Sequence, residues 1–136
     1  MIINIALIVV LSEVNKMNND CWIFKNSPFE MLDIAFKRLF PEVKYKAYFD
    51  VDIEDENGES VCGFTDFKDN GEIAIVIDGN LSVYNATEIF AHELAHAGVG
   101  KEHNHDEVWQ KAFDDLFEEY NKIGSEMFSK AGGIGE

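Results

Sequence analysis

The segment His92-Glu93-Leu94-Ala95-His96 constrains this chain more than any other feature. Residues four apart share one face of an α-helix, so both imidazoles can reach a single ion. Glu93 then sits about 100° round the axis, beside a water held there. The pattern has chemical meaning only on a capped, half-buried helix, and its neighbours supply one. Ile89, Phe90, Leu94 and Ala95 give an apolar face, Asn85-Ala86-Thr87-Glu88 reads as a capping box, and Gly98 and Gly100 offer a stop. Chance alone yields such a segment in fewer than about one chain in a hundred of this length.

An ion doing hydrolytic chemistry takes three protein ligands and keeps one position open, and an imidazole pair in this motif points to Zn2+. The third ligand is less fixed. A Gly three residues after His96 followed by a His three residues later is ruled out, because Val99 and Glu102 stand there. Glu107, Glu118 and Glu119 on the following helix remain candidates, as do His103 and His105 at the junction. His105 is favoured because Asn104-His105-Asp106-Glu107 reads as a capping signature that puts it on the first turn of the last helix. Trp109, one turn on, can then pack beneath the site. Tyr84 and Tyr120 could donate to a developing oxyanion, although half-buried packing is the commoner role of such residues.

The rest of the chain arranges itself around this segment. Ser27-Pro28 with Glu30 reads as a helix start, Phe29, Leu32, Phe36, Leu39 and Phe40 recur at helical spacing, and Pro41 is the stop. Val43–Phe49 alternates like a strand, Asp50–Ser60 is an acidic turn, and Val61–Phe67 is a second strand. Asp69-Asn70-Gly71 is a tight turn leading into Glu72–Asp78, the strongest strand pattern present. Val108, Trp109, Ala112, Phe113, Leu116, Phe117 and Tyr120 mark a last amphipathic helix ending near Gly124. This order predicts an α+β fold in one domain over residues 17–124, with an apolar segment at 1–16 and a frayed tail at 125–136.

Composition narrows the function. The formal charge of −15 argues against nucleic-acid binding and against docking on anionic lipid, since both need a basic face. Cys21 and Cys62 are too far apart for a CxxC zinc ribbon, and two free, partly buried thiols in a reducing cytosol are expected. Met1–Leu11 is apolar but has no preceding Lys or Arg, no small-x-small site after it, and too few residues to span a bilayer. It reads as a buried strand or helix of a cytoplasmic protein. A signal function for residues 1–11 would make the chain a secreted hydrolase, and Met17 is a third option as the natural start.

Taken together, Gly63 in the second strand, Glu72–Asp78 in the third, His92–Ala97, and His105-Asp106-Glu107-Val108-Trp109 resemble the SprT-like zinc metallopeptidases, over roughly Pro28 to Lys122. The resemblance implies a zincin-like fold: N-terminal helix, small three-stranded sheet, HExxH active-site helix and C-terminal helix. It implies His92, His96 and His105 as zinc ligands and Glu93 as general base. A zinc-activated water would then hydrolyse a protein or peptide substrate. It further implies that the third strand lies above the site as an edge to which a peptide could add. The chain departs from the group in lacking a zinc ribbon, and its charge argues against a DNA-directed role. A non-proteolytic acidic binding or inhibitor protein on the same fold is the alternative.

Overall fold

The computed structural model describes residues 27–135, with side chains described to Met127. Met1–Leu11, Met17 and Cys21 lie outside the described residues. Three helices and a three-stranded mixed sheet make an α+β unit: α1 (Pro28–Leu39), β1 (Lys46–Asp50), β2 (Gly63–Phe67), β3 (Ile73–Asp78), α2 (Val83–Val99) and α3 (Glu107–Gly135). No helix among the described residues is long and apolar enough to cross a membrane.

Helix α1 starts as its sequence dictates. The Ser27 hydroxyl accepts the Phe29 N–H at 3.2 Å, Pro28 occupies the first turn where its missing N–H costs nothing, and the helix stops before Pro41. Met31, Leu32, Ala35 and Phe36 form its buried stripe.

The sheet runs β1-β3-β2, with β1 parallel and β2 antiparallel to β3. This corrects the expectation that the third strand is an edge. Ile73–Asp78 is apolar almost throughout and buried from Ala74 to Ile77, as a central strand must be when both its faces are covered. The edges are β1, exposed along its whole length, and β2, half-buried. The β2–β3 hairpin closes as expected over Asp69-Asn70-Gly71, where Gly71 takes a φ of 91° that side-chain-bearing residues avoid.

The core gathers one or more residues from each helix and from β3. Leu32 and Phe36 (α1), Ile75 (β3), Leu94 (α2) and Leu116 (α3) are its largest fully buried side chains, each contributing about 1.5–3 kcal/mol by burial.

Two helix starts and one end differ from the sequence reading. Helix α2 is capped by Ser82, whose hydroxyl accepts the Asn85 N–H at 3.1 Å, so Asn85 lies inside the helix it was expected to cap. Helix α3 is capped by Asp106, whose carboxylate accepts the Trp109 N–H at 3.0 Å. His105 is therefore in the loop just before the helix, not on its first turn. Helix α3 also runs straight through Gly124 to Gly135. Gly124 is buried against α1, where an added Cβ would lie 3.2 Å from the Met31 methyl, so this glycine serves close helix packing instead of a stop. Cys62 is a free thiol and exposed, not partly buried as expected.

Candidate metal centre

Helix α2 presents His92 and His96 one turn apart on the same face. The loop between α2 and α3 brings His105 to them. The three Nε2 atoms form a near-regular triangle, 3.3 Å from His92 to His96, 3.1 Å from His96 to His105 and 3.0 Å from His105 to His92. Three imidazole nitrogens aimed at one point cannot satisfy one another by hydrogen bonding, because each ring nitrogen is either a donor or an acceptor. A cation at that point resolves the conflict, and these three residues are the group among the described residues that is close enough to hold one.

Burial favours the neutral, ligating form of the rings. It lowers the pKa of His92, with the neighbouring His105 adding to the effect, and it lowers His96 to about 4, reinforced by His92 and His105. Trp109 forms the wall of the site. It is 7% exposed, its ring centroid lies 4.8 Å from those of His92 and His105 and 5.4 Å from that of His96, and its indole N–H points at the His92 carbonyl at 3.4 Å. Phe113 stacks behind it at 5.1 Å.

Glu93 lies toward the sheet, as its place on the helix requires. It is 7% exposed, and burial pushes its carboxyl up to about 6 against the opposing pull of a hydrogen bond from Thr65. The Thr65 hydroxyl is 2.8 Å from Glu93 Oε1 and 3.1 Å from the Glu93 carbonyl. The second carboxylate oxygen, Oε2, stands 4.0 Å from His92 Nε2. A proton acceptor thus lies beside the triangle with one oxygen held and the other turned to the centre.

The other candidates lie elsewhere. His103 pairs with Asp106 at 2.8 Å, and Glu119 is tied to Arg38 of α1 at 2.8 Å. Glu107 and Glu118 do not join the cluster. Tyr84 is 73% exposed, and Tyr120 packs into the core beside Phe117, so neither belongs to the triangle's surroundings. Thr65 was not picked out by the sequence, where a threonine in a strand is unremarkable and only the strand's position over α2 gives it a partner.

Strand β2 and helix α2 run in the same direction. Gly63 lies against Ile89, Thr65 meets Glu93, and Phe67 and Lys68 reach Ala97–Gly100, where a groove of about 550 Å³ opens. The outer edge of β2 has no strand paired to it among the described residues. Neither protein-family models, nor curated proteins, nor solved structures match this chain.

Proposed function

We propose that this chain is a zinc-dependent metallopeptidase with a zincin-like, SprT-like core, acting in the cytoplasm on protein or peptide substrates. The observation that carries the reading is the pairing of a three-nitrogen triangle with a buried carboxylate on the same helix. The triangle suits zinc: tetrahedral coordination at about 2.0–2.1 Å separates ligand atoms by about 3.3–3.4 Å. The nitrogens here stand 3.0–3.3 Å apart, and three imidazoles leave a fourth position open.

Held there by His92, His96 and His105, zinc would supply a Lewis acid able to lower the pKa of a water toward about 7. Glu93 would accept the proton of the attacking water and deliver it to the amine that leaves as the peptide bond breaks. A carboxyl with its pKa raised to about 6 is still mostly ionised at neutral pH and takes up a proton more readily than an ordinary glutamate. The edge of β2 that has no strand paired to it among the described residues offers main-chain hydrogen bonds to an extended peptide passing the centre.

The test is zinc content and cleavage of an unfolded protein by wild type and Glu93→Gln. Both should hold one zinc, with turnover at least about 100-fold lower in the variant. A Glu93→Gln protein as active as wild type overturns the mechanism. A wild type that holds zinc and cleaves nothing supports the second reading, an acidic binding or inhibitor protein, which the net charge of −15 favours.

A further inference from the structure

His105 is the one member of the triangle not carried by a helix, and it has a φ of 60°, in the left-handed region that costs a side-chain-bearing residue free energy. A loop at liberty would relax this residue to negative φ and swing the imidazole away from His92 and His96. Something must hold the turn.

A chain of hydrogen bonds crosses the loop on either side of His105. The Gly100 N–H donates to the His96 carbonyl at 2.9 Å, and the His103 N–H donates to the Gly100 carbonyl at 3.2 Å. The His103 ring then meets Asp106 Oδ2 through Nδ1 at 2.8 Å, and Asp106 Oδ1 accepts the Trp109 N–H at 3.0 Å. The end of α2 is thereby connected to the start of α3, and Trp109, at the far end of the chain, is the wall against which all three imidazoles pack. Asp106 has two duties, one oxygen capping α3 and the other gripping His103.

We propose that the His103–Asp106 pair is the positioning device for the third ligand, a clamp that holds the strained turn so that His105 stands ready beside His92 and His96 before metal arrives. The inference rests on the reading of the triangle as a zinc centre. His103 is thus a positioning residue, not a spare histidine in a solvated loop.

The two duties of Asp106 can be separated by substitution in the full-length chain. Asp106→Ser keeps the helix cap but is too short to reach His103, and His103→Ala removes the grip alone. Asp106→Asn keeps both links, its oxygen on the Trp109 N–H and its amide donating to the other tautomer of His103, while removing the charge. Zinc affinity is read by competition with a chromogenic chelator, and ligand geometry by the visible spectrum of the cobalt(II)-loaded protein. Metal-free Tm is followed in parallel.

Asp106→Ser and His103→Ala should each weaken zinc by about 10-fold, the scale on which partners behind metal ligands act. Both should shift the cobalt spectrum and leave the metal-free Tm near wild type, while Asp106→Asn stays near wild type throughout. Wild-type affinity in His103→Ala overturns the inference, as does a loss in Asp106→Asn equal to that in Asp106→Ser, which would mean that charge alone matters. A wild type that takes up no zinc overturns the metal reading itself.

Discussion

The Thr65 hydroxyl on β2 sits 2.8 Å from Glu93 Oε1 on α2, a bond between a sheet edge and the carboxylate next to the histidine triangle. It fixes which carboxylate oxygen faces the centre. Thr65→Val keeps the shape and removes the bond. It should lower kcat by about 10-fold, a fraction of what a positioned base contributes, with KM and zinc content unchanged. Thr65→Ser should restore most of the rate. An unchanged kcat in the valine variant would show that packing alone orients Glu93.

His105 is the member of the histidine triangle most easily removed without harm to the fold, because it is exposed and outside both helices. His105→Ala should lose nearly all zinc on dialysis, measured by metal analysis, with helical content intact. Glu119→Gln should retain its zinc, since Glu119 is engaged with Arg38 of α1. The reverse pattern would move the third ligand to a carboxylate.

The metal-free protein should lose stability on mild acidification. Burial lowers His92, and lowers His96 from 6.5 to about 4, so between those limits the unfolded chain binds more protons than the folded one. Stability therefore falls as pH falls through that window. Glu93 works in the opposite sense, being raised from 4.5 to about 6, so that the folded state takes its proton first. Two histidines outweigh one carboxylate. The metal-free Tm should be lower at pH 5 than at pH 7, and a Tm that rises on acidification contradicts the burial of these rings in their neutral form.

Gly63 shows how close β2 comes to α2. A Cβ there would lie 2.6 Å from the Ile89 methyl and 3.0 Å from the Val76 carbonyl, and the second of these is backbone. Gly63→Ala should cost about 1–3 kcal/mol in urea denaturation. Wild-type stability in this variant would mean the sheet edge can lift away from the helix.

Much of this arrangement was legible in the sequence, and the parts that were not share a cause. The helix carrying His92 and His96, the cap at Ser27 and the hairpin at Gly71 follow from spacing and turn chemistry, which act between near neighbours. Asn85 and Asn104 were misread as caps because several residues within one turn could have served, and packing chose Ser82 and Asp106. Gly124 looked like a stop because a glycine in a helix is ordinarily a weakness; only the approach of Met31 explains it. The central place of β3 and the grip of Thr65 on Glu93 depend on contacts between segments distant along the chain, and no local pattern carries them.

The parallel run of β2 and α2 has one more consequence. Two residues of strand advance about 6.6 Å and four residues of helix about 6.0 Å, so the two elements stay in phase from Gly63–Ile89 to Thr65–Glu93. Side chains alternate along a strand, so a slip of a single residue would turn Thr65 outward and offer Glu93 the side chain of Phe64 or Asp66 instead. The pairing of β2 with β3 that prevents the slip is set at the Asn70–Gly71 turn. A surface hairpin at the end of the sheet thus acts as the indexing pin of the candidate centre, and lengthening that turn by one residue would part Thr65 from Glu93 without touching any of the three histidines.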